Sequence, residues 1–274
     1  MQTLLIERRD GVFEIVLNRP EILNAANREM IADLAEATAE AEADGDTGAV
    51  LLRGAGSHFM AGGDIRMFGE MTALAPAARR RAFHDLVAAL DPAMLRLRRM
   101  AKPVVAAVQG AAAGFGLSLV LAADLALAAA DAVFGAGYIH LGTSPDGAMT
   151  VTLPRIVGLK RAAELMLLGE RFDAERALAL GIVNRLVPAE ALLDEARALA
   201  ARLAAGPRQA NARTKALLQA SFDDGFAAQL EREAESFALC AATEDFAEGV
   251  RAFLEKRRPR FTGGASPPPP ATPL

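Results

Sequence analysis

From Pro103 to Ala123 the chain reads PVVAAVQGAAAGFGLSLVLAA, 21 residues without a charge. About 20 apolar residues can cross a bilayer as a helix, so this stretch decides between a membrane protein and a buried core. Gln109, Gly110, Gly114 and Gly116 interrupt it. They divide it into a strand-like piece at 104–108 and a separate small-residue helix at 114–123. The flanking sequence is amphipathic, so the run reads as the interior of a soluble protein with no membrane partner.

Around this run strands and helices alternate. Residues 2–7 and 12–18 read as two strands joined at Asp10-Gly11, a strong hairpin signal. Residues 27–44 have apolar side chains at helical spacing, with Asn27 placed to cap the first turn. AVLLRG at 49–54 reads as a buried strand and leads into the glycine-rich GAGSHFMAGGD at 54–64. One long helix is predicted over 76–100, then a strand at 104–108, a helix at 114–123 and a strand at 125–129. This alternation predicts an α/β core with parallel pairing. From residue 189 strand signals cease, and 189–205, 207–222 and 224–257 read as three helices. The expected organisation is a core over 1–188, a helical C-terminal region over 189–262, and a disordered proline-rich tail over 263–274 (GGASPPPPATPL).

A net charge of −4 and a pI near 5.6 provide no basic field, which argues against a nucleic-acid partner. The single Cys240 cannot close an intrachain disulfide and suits a reducing cytosol. The opening MQTLLIERRDG is charged too early for a secretory signal, so a cytoplasmic protein is expected. His58, His84 and His140 lack metal-ligand spacing, and no metal is expected.

Two loops can bring backbone N–H groups to a ligand. AGGD at 61–64 follows a strand and has adjacent glycines. AAAGFGLSL at 111–119 is a strand–turn–helix junction that leaves free N–H groups at a helix start. Aimed at an oxygen that gains negative charge, such groups form an oxyanion hole. A dinucleotide loop is the competing reading of Gly114-Phe115-Gly116. It wants a third Gly or Ala where Leu119 stands, and an acid about twenty residues further on.

The segments IVLNRPEILNAANREM (15–30), HFMAGGDI (58–65), KPVVAAVQGAAAGFGLSLVLAADLALAA (102–129) and FGAGYIHLGTSPDGA (134–148) resemble the enoyl-CoA hydratase/isomerase (crotonase) superfamily. LPRIVG (153–158), GIVNRLVP (181–188) and EGVRAFLEKRRPRF (248–261) carry the resemblance to about residue 262. It implies a spiral of ββα turns with a helical region that packs a homotrimer or hexamer. It also implies an acyl-CoA substrate whose thioester carbonyl lies between the N–H groups of Gly63 and Phe115, next to Ala61 and Gly114. CoA is then part of the substrate, and no separate cofactor is implied. Arg66, Phe237 and Lys256 fall where the family contacts CoA.

The hydratases of this family work with two glutamates, and the resemblance places them at Ser118 and Tyr138. Neither is a carboxylate here, so both are read as substrate-contacting hydroxyls that are poor bases unaided. Asp146, eight residues after Tyr138, remains. An aspartate just after a proline is often only a helix cap. In isomerase branches, including the phenylacetate-pathway ring-epoxide type, the resemblance makes it the single base of a double-bond shift. An enoyl-CoA isomerase is therefore expected. The alternatives are a hydratase, an aryl-CoA dehalogenase with Asp146 as nucleophile, and a CoA-binding protein without activity.

Overall fold

The Asp10-Gly11 turn closes an antiparallel hairpin of β1 (Leu4–Arg9) and β2 (Val12–Leu17), in register from Leu4 opposite Leu17 to Arg9 opposite Val12. Both turn residues take positive φ, 51° and 73°, matching the twist of the strands. This is a computed structural model that describes residues 1–263, so the expected tail beyond Gly263 lies outside the described residues.

The chain continues through α1 (Arg28–Ala43), capped by the Asn27 side chain, which accepts from Met30 N at 2.9 Å. Then come β3 (Ala49–Gly54), α2 (Ile65–Thr72), α3 (Pro76–Ala88) and α4 (Asp91–Arg99). The uncharged run forms β4 (Val104–Val108), β5 (Ala111–Ala113) and α5 (Phe115–Ala122), and every residue of β4 and α5 is buried. No helix among the described residues is long and apolar enough to cross a membrane. Next are β6 (Leu125–Ala129), β7 (Val133–Gly135), α6 (Met149–Val157), α7 (Leu159–Leu168), β8 (Phe172–Asp173), α8 (Ala174–Ala179) and β9 (Arg185–Val187). Four helices end the description: α9 (Leu192–Ala204), α10 (Arg208–Ala220), α11 (Phe226–Ala241) and α12 (Glu244–Leu254).

The strands form two sheets. One has the order β1-β2-β3-β4-β6-β9 and is parallel from β2 onward; the other has the order β5-β7-β8. Consecutive strands alternate between them: β4 then β5, β6 then β7, each pair leading on toward a helix. The chain is thus a stack of ββα coils, the α/β spiral that the family resemblance implies. Successive coils lie in contact, because β3 pairs with β4 in one sheet while Met60 bridges Ala112 at the edge of the other.

Two predicted helices are each two. The helix over 76–100 breaks near Leu90, where Pro92 lacks the N–H that would continue it and opens α4 instead. The helix over 224–257 breaks at Thr243, whose hydroxyl accepts from Phe246 N at 3.1 Å and caps α12. Between β6 and α9, β7, β8 and β9 have only two or three residues each, too short for an alternation to show in the sequence.

The C-terminal helices attach to the core by buried charge. Arg197 on α9 donates to Glu14 at 2.6 and 2.9 Å and to Glu7 at 3.1 Å, beside Arg53. Glu14 is 1% exposed, and although burial would raise its pKa, Arg197 and Arg53 hold it below the ordinary value. The first helix after residue 189 is therefore a layer of the core itself, packed on β2, β3, β4 and β6. Lys215 on α10 reaches Asp124 at 2.7 Å and the carbonyls of Leu97 and Lys102 at 2.9 and 3.0 Å. By contrast, α11 buries none of its residues.

Candidate active site

The loop after β3 runs beside the turn before α5. Met60 N donates to Ala111 O at 3.0 Å, and Ala113 N donates back to Met60 O at 2.9 Å. On its other side the loop is held by Ala26, whose N donates to Gly62 O at 2.8 Å and whose carbonyl accepts from Asp64 N at 2.9 Å. In a parallel bridge of this kind the residue in the middle, Gly63, turns its own N–H away from its partner. That N–H makes no hydrogen bond among the described residues.

Phe115 opens α5, and first-turn N–H groups have no acceptor within their helix. Its N–H is likewise without a partner among the described residues. The turn depends on Gly114, at φ 54° and ψ −124°, a backbone shape that residues with a side chain rarely adopt. The loops touch: a Cβ built on Gly114 would lie 3.5 Å from Gly62 Cα, and one on Gly62 would lie 3.1 Å from Ala113 O. Two unpaired amides thus sit on adjoining loops of successive coils, as an oxyanion hole requires.

Asp64 fixes the first loop. Its Oδ1 accepts from Arg66 N at 3.1 Å at the start of α2, and its Oδ2 pairs with Arg19 at 3.1 Å. Ala61 N donates to Leu23 O at 3.0 Å. Arg19 was missed in the sequence, although it lies within the NRP of the resembling segment.

The third part of the site is the segment 137–147. Tyr138 is 8% exposed, and its ring carbon Cζ lies 4.0 Å from where a Gly114 Cβ would be. Its O–H donates to Asp146 Oδ1 at 2.7 Å. Ser118 Oγ donates to the Asp146 carbonyl at 3.0 Å and lies 3.3 Å from the Tyr138 oxygen. Ser118 is 1% exposed with its hydroxyl engaged inside the protein, so it stands behind the site rather than on its surface. Gly147, at φ 57°, presses this segment onto α5; a Cβ there would come within 2.8 Å of Ser118 Cβ and 3.0 Å of the Phe115 ring.

Asp146 is not a side-chain cap. Helix α6 starts at Met149 behind Ala148, with no side-chain cap, and only the Asp146 carbonyl accepts from Met149 N, at 3.2 Å. Oδ2 of Asp146 accepts no hydrogen bond among the described residues. Burial raises the Asp146 pKa above its ordinary value, and the Tyr138 hydrogen bond pulls it back only in part. Burial and the adjacent Asp146 charge push the Tyr138 pKa up, so the phenol remains a proton donor to its neighbour.

The remaining expected residues are spread out. Arg66 is exposed on α2, and its guanidinium makes no ion pair among the described residues. Phe237, 70% exposed on α11, has its ring against Phe246 at 6.3 Å. Lys256 is exposed just after α12. Neither bonds to the loops above within one chain. His140 lies 3.0 Å from Gly169 O and His58 accepts from Ala111 N at 3.0 Å, both structural contacts. Among the described residues no cluster of His, Cys, Asp and Glu could hold a metal ion. A groove of about 390 Å³ lies apart from these loops, lined by Cys240, Phe246, Val250, Phe253, Leu254 and Phe261 among others.

A family model for enoyl-CoA hydratase/isomerase matches residues 7–264. The chain is 38% identical over 268 residues to 1,2-epoxyphenylacetyl-CoA isomerase of Escherichia coli strain K12, covering 96% of this chain and 99% of that protein. Among solved structures, an enoyl-CoA hydratase from Polaromonas sp. JS666 has a TM-score of 0.88 at 34% identity, covering 94% of this chain and 98% of that one. An enoyl-CoA hydratase from Mycobacterium smegmatis has a TM-score of 0.86 at 37% identity, with the same 94% and 98% coverage. The likeness spans the coils that carry both loops and the segment around Asp146, and the chain belongs to the enoyl-CoA hydratase/isomerase, or crotonase, family.

Proposed function

We propose that this enzyme is an enoyl-CoA isomerase that moves a double bond with Asp146 as its single base. The observation that carries the reading is the free Oδ2 of Asp146, on a segment packed against the helix turn that holds the Phe115 amide. The hydroxyls of Ser118 and Tyr138, where the hydratases of the family carry glutamates, both turn inward to Asp146. The glutamate pair with which the family's well-studied hydratases place and split water is missing from both positions, which favours the isomerase over a hydratase.

In the proposed reaction the thioester oxygen lies between the N–H groups of Gly63 and Phe115. Oδ2 of Asp146 takes a proton from C2 of a 3-enoyl thioester, and the electron pair moves into a dienolate whose oxygen charge the two amides stabilise. The same carboxyl returns the proton at C4, and the double bond comes to rest in conjugation at C2–C3. Burial of Asp146 favours this role, because a base raised above the usual carboxylate range matches its proton-transfer task better. Arg66 is assigned to the CoA phosphates. Phe237 and Lys256, remote from their own chain's loops, are assigned to CoA held at a neighbouring subunit. The uncovered α11 and the exposed Phe226, Phe253 and Leu254 support a trimer, alone or doubled.

Purified protein is offered 3-enoyl-CoA and 2-enoyl-CoA separately, and the conjugated thioester absorbance is followed. Conjugation that grows with the first substrate and is lost in Asp146→Asn supports the isomerase. Rapid loss of 2-enoyl absorbance that survives the substitution makes the protein a hydratase. Binding of acyl-CoA with turnover of neither substrate removes both readings.

A further inference from the structure

A carboxylate that must take a proton from one carbon and return it to another has to present the same oxygen to both. An aspartate side chain left alone rotates about its last bond and exchanges its two oxygens freely. Around Asp146 that freedom is closed off. Oδ1 accepts from Tyr138 at 2.7 Å, while the Asp146 carbonyl accepts from Ser118 at 3.0 Å. Each hydroxyl has one proton, and both are directed to Asp146, one to its side chain and one to its main chain. The Tyr138 ring is itself held, 8% exposed and lodged against Gly114, so the anchor does not swing with its load.

We propose that Tyr138 is the positioning residue of Asp146: it occupies Oδ1, fixes the plane of the carboxyl group, and leaves Oδ2 as the only oxygen that can carry the substrate proton. This rests on the isomerase reading and deepens it, since Tyr138 then works through Asp146 and does not touch the substrate carbons itself. Ser118 is the second tether and holds the backbone of the base. No other group shares the task. On the α5 side, Gly147 next to Asp146 packs on Phe115 and Ser118, and Ser118 bonds the Asp146 carbonyl. From the turn after β7, Tyr138 bonds the carboxyl itself, and among the described residues no cation and no second carboxylate acts on it. His140, on that same turn, is engaged with Gly169.

Two consequences separate positioning from mere packing. A donor on Oδ1 stabilises the ionised form, so its removal must shift the titration of the base upward. A proton confined to Oδ2 stays next to the dienolate, so a label taken from C2 must reappear at C4 instead of exchanging with water.

The test is Tyr138→Phe, which keeps the ring and deletes only the donor, in the full-length protein with 3-enoyl-CoA deuterated at C2. The expected results are three. The acid limb of kcat/KM moves up by about one pH unit or more, and kcat falls about ten- to a hundredfold, as one hydrogen bond to a charged group is worth. KM stays within about threefold, and the fraction of deuterium transferred to C4 drops. Ser118→Ala lowers kcat less and leaves the acid limb in place. If Tyr138→Phe is too slow to assay, an isotope-edited infrared titration of the aspartates in both proteins reads the same upward shift without turnover. An unchanged acid limb, or an unchanged carboxyl titration, overturns the proposal while the isomerase reading stands, provided the wild type isomerises and Asp146→Asn does not. A wild type that fails to isomerise removes the isomerase reading first.

Discussion

Arg19 and Asp64 form an ion pair at 3.1 Å that ties the loop bearing Gly63 to the segment leading into α1. Both side chains are largely buried, at 17% and 13% exposure, and Asp64 also accepts from the first turn of α2. The Gly63 amide is aimed by its neighbours, because nothing bonds to it among the described residues.

Replacing Asp64 tests this aim. Asp64→Ala removes both the cap and the pair, and about 1–2 kcal/mol of stability should go with the cap. The activity loss should lie within the 10²–10³-fold range seen when one oxyanion donor is lost, and it should fall on kcat more than on KM. Asp64→Asn keeps the cap without the charge and should lose less. Thermal unfolding beside steady-state kinetics separates the two contributions.

Gly147→Ala should abolish activity in a folded protein. The new methyl meets Ser118 Cβ at 2.8 Å and the Phe115 ring at 3.0 Å, at a residue with φ 57°. Relief requires moving Asp146, and a displacement of about 1 Å can cost about a hundredfold in rate. Unchanged circular dichroism with near-zero isomerisation is expected; full activity would mean the segment yields without consequence.

Asp146→Asn should make the protein harder to unfold at neutral pH. The folded-state pKa of Asp146 lies above its ordinary 3.8, so its ionisation opposes folding. The stability attached to the protonated carboxyl is complete below that ordinary value and is lost as pH rises through the raised one. Asparagine keeps an oxygen for Tyr138 and carries no charge. The variant's melting temperature should exceed that of the wild type at pH 7, and the gap should close below about pH 4.

Lys215 carries the attachment of α10 to the core. Burial lowers its pKa and raises that of Asp124, with each partner opposing the shift in the other. Lys215→Met should destabilise the fold, by less than the about 3–5 kcal/mol that breaking a fully buried pair costs. The Asp124 side chain is 28% exposed and keeps its hydrogen bond from Val104 N. The double variant with Asp124→Leu should recover a large part of that loss in urea unfolding, and the cycle of four proteins gives the coupling directly.

The sequence disclosed the α/β core through its regular parts, and the spiral only through the family resemblance. The hairpin turn, the alternation up to β6 and the buried run could be read because each repeats a period over five or more residues. What escaped lies below that length or depends on tertiary contact. β5, β7 and β8 are two or three residues each, and Pro92 and Thr243 end helices whose apolar spacing continues past them. At the site, the departure of Ser118 and Tyr138 from the hydratase pattern singled out Asp146. It did not reveal that both hydroxyls point at that aspartate, because residues 118, 138 and 146 meet only when two coils stack. Asp64 and Asp124 pair with Arg19 and Lys215, which lie 45 and 91 positions away, and no local pattern announces them.

The stacking of coils has a consequence for inheritance. The two free amides belong to the main chain, and their spacing is set by the contact between one turn of the spiral and the next. Point mutation cannot remove a backbone N–H short of introducing proline. The acidic side chain has no such protection, and position 118, 138 or 146 can each place a group near the same spot. A lineage built on this spiral can therefore move its acid from site to site and change the reaction it performs, while the pair of free amides passes on untouched.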